Sequence, residues 1–164
     1  MLTALESLRF DGDQGLIVVR IDDREVIDSV FKHPEVEDML FDDSPKDVSY
    51  PINDNVLYLA AYESIGGPIG GIGMFIRKNM IELDCHCGFM PDFRGAMAVD
   101  AGMTMNSWIR KYTKYRKLVA CIPTVNKQCQ RFAVSIGYNR EGVNANSFLK
   151  NGVIYDQVYY GLEV

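Results

Sequence analysis

The sequence carries no surplus of positive charge: 17 Lys and Arg stand against 22 Asp and Glu, a net charge of −5. General binding to nucleic acid or to an anionic membrane is thereby disfavoured, leaving room only for a local basic patch. Long hydrophobic runs are missing as well; the apolar stretches are short and broken by charge, which excludes a membrane-spanning helix. The first residues, Met1-Leu2-Thr3-Ala4-Leu5-Glu6, lack the basic region and apolar core of a secretory signal. Cysteine is scarce and badly placed for a disulfide framework, with Cys85 and Cys87 alternating along one predicted strand, Cys121 mid-strand and Cys129 in a helix. A reduced, cytoplasmic protein is expected. There are no repeats, linkers or low-complexity segments, so the 164 residues, 48% hydrophobic and 24% charged, are expected to form one domain over 1–164.

What is present is a series of short elements. Residues 15–21 form a β-branched run and a first predicted strand. Asp22 and Asp23 then cap a helix whose apolar face is Val26, Ile27, Val30 and Phe31, ending near His33-Pro34. Residues 35–49, with Glu35, Glu37, Asp38, Asp42, Asp43 and Asp47 around Pro45, read as an acidic surface loop with at most one helical turn. Strands follow over 56–62, 69–77 and 80–90, the last two joined by a tight turn at Lys78-Asn79. A helix over about 97–112, a strand over 117–122 and a helix opening at Asn126 and stopped by Gly137-Tyr138 come next. About six irregular residues precede a hairpin whose Asn151-Gly152 turn leads into 153–162. The order β-α-β-β-β-α-β-α-β-β implies an α+β (α/β) protein with a mixed central sheet flanked by helices.

The segment 80–139 carries the candidate chemistry. Arg94-Gly95 stands between a strand and a helix, where free N–H groups and the positive end of a helix dipole suit an anionic ligand; a plain turn with a solvated arginine is the other reading. On the preceding strand Glu82, Asp84 and His86 alternate onto one face, with Ile81, Leu83, Cys85, Cys87 and Phe89 on the other. Asp84 or His86 is thus a candidate general base, against a merely solvated sheet face. A metal site is not expected, because the thiols point away from Asp84 and His86 and Cys-x-Cys alone is no zinc spacing. Asn126 reads as a helix cap compatible with ligand contact, Cys129 as a small buried residue or a proton donor, and His33 as an ordinary helix-end histidine.

Residues 125–142 (Val-Asn-Lys-Gln-Cys-Gln-Arg-Phe-Ala-Val-Ser-Ile-Gly-Tyr-Asn-Arg-Glu-Gly), followed by Gly152, Asp156 and Tyr160 in the terminal hairpin, resemble the C-terminal half of the GCN5-related N-acetyltransferases. The likeness is nearest the subgroup that acetylates ribosomal-protein N-termini, with its N-x-x-S, G-F/Y and E-G pattern, and is dense over 117–162. It implies the acyl-CoA N-acyltransferase fold, with acetyl-CoA lying in a V-shaped opening between the fourth and fifth strands and its pyrophosphate on an R/Q-x-x-G-x-G/A turn. On that resemblance the cofactor would meet Gly88, Phe89, Met90, Arg94, Gly95, Ala96, Met97, Ala98, Asn126 and Phe132. His86, Asp84 and Cys129 would be the catalytic residues, acting on a primary amine of a small molecule or of a protein N-terminus.

Within this pattern Met97 stands at the central glycine of the cofactor turn and Val99 at its final small residue, while Ala133 occupies the place of a tyrosine acid and Cys129 that of a serine acid. A methionine there either obstructs the phosphate or turns away. The same combination of a kept C-terminal half and an altered turn is similar to small virion or head-assembly proteins of short-tailed bacteriophages, which implies a scaffold acting through a virion protein partner or a homodimer. The acidic 35–47 segment would face a basic substrate, and Phe148, Tyr155, Tyr159 and Tyr160 would wall a cleft or fill a half-buried strand.

Overall fold

A computed structural model describes residues 10–12, 15–45 and 49–164; the expectations for residues 1–6 and for Asp47 lie outside them. The first elements are strands β1 (Phe10–Asp11) and β2 (Ile17–Ile21), helix α1 (Arg24–Phe31) and helix α2 (Pro34–Leu40). Strands β3 (Val56–Tyr62), β4 (Ile69–Arg77) and β5 (Glu82–Phe89) follow. A 3-10 turn (Pro91–Phe93) then leads into helix α3 (Ala96–Tyr112), strand β6 (Lys117–Pro123), helix α4 (Lys127–Ser135) and the hairpin β7 (Asn139–Lys150) and β8 (Val153–Glu163). The strands form one eight-stranded sheet in the order β1-β2-β3-β4-β5-β6-β8-β7. Among the described residues β5 and β6 run parallel and the other neighbours are antiparallel.

Strand alternation sends successive side chains to two cores. Tyr58, Ala60 and Ile72 pack with Ile27, Val30, Phe31 and Val36 of α1 and α2 on one face. Leu59, Ala61, Phe75, Leu83, Leu118 and Ile122 pack with Ala101, Met105, Trp108 and Ile109 of α3 and Ala133 of α4 on the other. Helix α1 starts where expected: the Asp23 carboxylate accepts from the N–H groups of Glu25 (2.9 Å) and Val26 (3.2 Å).

Three expectations need correction. The acidic segment is not a loop throughout, since Pro34 opens a seven-residue helix, α2, with Glu35 and Glu37 in its first turn. Proline at the first helical position and acids near the positive end of the dipole favour that start, and Val36 is the buried residue that anchors it. The six residues after Tyr138 are not irregular but belong to β7, whose register against β8 shifts between Arg140 and Gly142 and again between Asn144 and Phe148. The strand expected over 80–90 is shorter, because Asn79 Oδ1 accepts from the N–H groups of Ile81 and Glu82 and holds the turn open to that point. β1 was not expected at all.

Candidate functional site

The site follows from an incomplete strand pairing. β5 and β6 are in register only at Glu82–Lys117, Leu83–Leu118 and Asp84–Val119, although β5 runs on to Phe89 and β6 to Pro123. Beyond Asp84 the two strands part. Met90 N–H donates to the Gly70 carbonyl at 2.8 Å, so the alternation of antiparallel pairing turns the N–H groups of Cys87 and Phe89 away from β4 and into the gap. Those donors are what a thioester carbonyl needs.

Two cavities meet there. One, of about 330 Å³, runs from Arg94, Gly95, Ala98 and Val99 past Phe89 to Cys129 and Phe132, and Val36, Met39 and Leu40 of α2 roof it. The other, of about 110 Å³, continues through the gap between His86, Cys87, Cys121 and Asn126. Met39, Leu40, Cys87, Phe89, Cys129 and Phe132 line both, so the cleft is continuous. The close approach of α2 depends on Gly88, where a Cβ would stand 2.4 Å from the Val36 side chain.

The outer end is built for negative charge. Gly95 takes φ +84, a conformation costly for other residues, and places α3 so that the first N–H paired within the helix is that of Val99, to the Gly95 carbonyl at 3.1 Å. The N–H groups of Ala96, Met97 and Ala98 precede it, and the first turn holds no acidic side chain to offset the dipole. Arg94 reaches back along the cavity: its Nε donates to the Phe89 carbonyl at 3.3 Å, and its guanidinium meets the Glu35 carbonyl at 3.3 Å and carboxylate at 3.5 Å. Arg131, exposed on α4, lines the same cavity, as do Gln128, Phe132 and Ser135. Arg131 was missed in the sequence, yet the spacing 128, 131, 132, 135 marks one helix face.

Of the residues expected in the site, Gly88, Phe89, Arg94, Gly95, Ala98, Asn126, Phe132, His86 and Cys129 line the cleft, and Ala96 offers its backbone. Met90 and Met97 do not line it. Met97 is half-buried and packs against the core on the α3 side, and Met90 lies between the two cores with its N–H already bonded to Gly70. Asp84 is also outside, because it sits on the paired part of β5 and faces Lys78 at 3.6 Å. His86 is the first residue beyond the split on that face; it is exposed at the mouth of the cleft, where partial desolvation by its neighbours lowers its pKa from the ordinary 6.5, with Asp84 opposing. Burial raises the Cys129 pKa, while the hydrogen bond of Asn126 and the charge of Arg94 pull it down. Asn126 Oδ1 accepts from Cys129 N–H at 3.1 Å and its Nδ2 donates to the Met39 carbonyl at 3.3 Å, fixing α4 to the roof. Among the described residues no three His, Cys, Asp or Glu side chains gather as a metal site would require.

A split parallel pair with a helix opening at its mouth decides the comparison. The chain belongs to the DUF2824 family. The family is described as proteins of unknown function, and its profile matches residues 20–163. No curated protein matches the sequence. Among solved structures the chain is similar to spermidine N-acetyltransferase from Vibrio cholerae in complex with CoA and spermine (12% identity, TM-score 0.77, covering 92% of this chain and 96% of that one). It is also similar to a GNAT-family acetyltransferase from Bacillus anthracis (15%, 0.73, 94% and 98%). A third likeness is to ribosomal-protein-S5-alanine acetyltransferase from Vibrio fischeri (14%, 0.71, 94% and 96%). This DUF2824 member therefore has the acyl-CoA N-acyltransferase fold that the motifs at 125–162 imply. At such identities the likeness is one of fold. Among the described residues no helix is long and apolar enough to cross a membrane.

Proposed function

We propose that the chain is an acetyl-CoA-type N-acyltransferase, a cytoplasmic single-domain enzyme over residues 1–164 acting on a primary amine of a small molecule or a protein N-terminus. The observation that carries this reading is the open cleft: the methionine at the glycine position of the turn is half-buried, packs against the core and does not line the cleft, and a cavity of about 330 Å³ runs inward from Arg94 and Gly95. Pyrophosphate oxygens would take the N–H groups of Ala96, Met97 and Ala98 with Arg94 and Arg131 beside them, and pantetheine would pass Phe89 and Phe132. The N–H groups of Cys87 and Phe89 would polarise the thioester carbonyl.

In the reaction the amine attacks the thioester carbon directly, with no covalent enzyme intermediate. His86, neutral because its pKa is lowered, takes the amine proton through a water. Cys129, kept protonated by burial, stands at the junction of the cavities, where the departing thiolate collects a proton. The neighbours named for spermidine and for ribosomal protein S5 support an amine acceptor in general. A basic acceptor gains little support from α2 and the loop after it, since Glu35 faces Arg94, Asp38 faces Lys150, and Asp43 accepts from the N–H groups of Asn151 and Gly152.

Isothermal calorimetry with acetyl-CoA tests the reading on the native chain and on Met97→Gly. Micromolar binding by the native chain, not improved in the variant, is the expected result. Binding gained only in the variant would mean that Met97 closes the site. No binding by either would leave the fold as a scaffold for protein contacts, as in virion or head-assembly proteins.

A further inference from the structure

The smaller cavity reaches past the position of the thioester carbonyl. It passes through the split between β5 and β6 and ends in the core on the α3 side, among Phe75, Met105, Ala120, Ile122 and Ile136. Its volume, about 110 Å³, approaches that of the roughly 150 Å³ apolar cavity that holds a benzene molecule in an engineered protein. The inner end of this pocket lies next to the thioester position and is walled mostly by apolar side chains, so it suits an apolar group of a bound ligand.

The chemistry of the walls narrows that group. Among the described residues no Lys or Arg lines the cavity, and the polar side chains at its inner end are turned on their neighbours: Tyr138 Oη donates to Asn106 Oδ1 at 3.4 Å, and Asn106 Nδ2 donates to the Ile136 carbonyl at 3.3 Å. A carboxylate on the acyl group would lack a counter-charge, and so would an ammonium ion. The amine thus approaches from the opposite face, past His86, Leu40 and Cys121, and the inner end is left to the acyl chain.

We propose that the group transferred is a short apolar acyl chain longer than acetyl, its end seated between β6 and α3 among Phe75, Met105, Ala120 and Ile122. This rests on the acyl-CoA reading above and goes beyond it in naming the acyl class. The amine nitrogen bonds to the acyl carbonyl carbon and the carbon–sulfur bond breaks. CoA leaves with the electron pair and is protonated, and the amine proton passes through water to His86. Nothing is oxidised or reduced.

Calorimetry on the full chain with acetyl-CoA, butyryl-CoA and succinyl-CoA tests it, together with the variant Ala120→Val, whose added methyl groups enter the inner end of the cavity. Butyryl-CoA should bind about tenfold more tightly than acetyl-CoA, from two further buried methylenes. Succinyl-CoA should gain nothing, and Ala120→Val should abolish the butyryl advantage. Equal affinity for acetyl-CoA and butyryl-CoA would overturn the acyl assignment and leave CoA binding standing. A butyryl advantage that survives in Ala120→Val would overturn the location. Failure of all three thioesters to bind would overturn the assignment together with the CoA reading. If Ala120→Val does not fold, the native comparison still decides.

Discussion

At the scale of single residues, the proposed acyl transfer asks most of His86, which is also the easiest to test. Its position just beyond the split gives it access to the cleft, and crowding at the rim favours its neutral form. A neutral imidazole accepts a proton; an imidazolium does not. The rate of acyl transfer should therefore carry an acid limb set by the pKa of His86, which lies below 6.5, beneath the further rise with pH as the acceptor amine itself loses its proton. His86→Ala should lower kcat/KM by roughly 10²–10⁴-fold and remove that acid limb, while calorimetric affinity for the thioester holds. A mutant that keeps both the rate and the limb would show that another group is the base. The face on which His86 stands was legible in the sequence because a strand has a period of two, and period two settles the face without reference to anything else. Met97 was not legible. A side chain in the first turn of a helix can lie over the turn or beneath it, and here the apolar space under α3 decides. Asp84 was misjudged for a related reason: it shares the face of His86, but the last rung of the β5–β6 ladder and Lys78 keep it from the opening.

At the scale of elements, the roof helix α2 is what turns a gap in a sheet into an enclosed cleft. It is seven residues long, too short to persist alone, and is pinned from several sides. Arg94 holds Glu35 at its start, Asn126 holds the Met39 carbonyl, and Lys150 reaches from the terminal hairpin to its far end. The Lys150 ammonium donates to the Asp38 carbonyl (2.7 Å), the Asp38 carboxylate (3.0 Å) and the Phe41 carbonyl (3.0 Å), using all three of its protons. Its side chain is only 16% exposed. Charge-assisted bonds in that setting are stronger than a surface ion pair, so Lys150→Ala should cost about 2 kcal/mol and lower Tm by roughly 4–8 °C. The same change should loosen the roof and raise KM for the acyl donor more than it lowers kcat. An unchanged Tm would mean the hairpin does not support α2. Sequence patterns reveal the long elements, such as α3 and β4, where periodicity runs for several turns or pairs. They do not reveal α2, whose single buried valine gives no period, nor the start of β7, whose Gly and Asn residues argue for a loop until pairing with β8 and two register shifts accommodate them.

At the scale of the whole molecule, the cleft and the two cores share a consequence for pH. Burial raises the pKa of acidic hydrogens on both faces of the sheet: Cys85 from 9.0 to about 12, Cys87 in the same direction, and Tyr138 well above 10.0 on the α3 side. Tyr50, stacked on Phe31 at 4.9 Å under α1, rises from 10.0 to about 12. Each of these groups is neutral when protonated, and its folded pKa exceeds its unfolded one. The stability it contributes is complete below the unfolded pKa and is lost as pH climbs toward the folded value, because the unfolded chain releases protons that the folded chain retains. The window opens near 9 for the thiols and near 10 for the tyrosines and extends to about 12. One titrating group contributes at most about 1.4 kcal/mol per pH unit. With Cys85 and Cys87 both partly open to the cleft, the loss between pH 8 and pH 10 should be roughly 2 kcal/mol, or some 4–8 °C in Tm. Melting curves under reducing conditions at pH 8, 9 and 10 measure this, with Cys85→Ala as the control that flattens the slope by about half. The sign distinguishes this source of stability from carboxylate ion pairs, which fail on the acid side. A Tm that holds steady to pH 10 would show that water reaches the thiols through the split, and that the inner cavity is wet, unsuited to an apolar acyl chain.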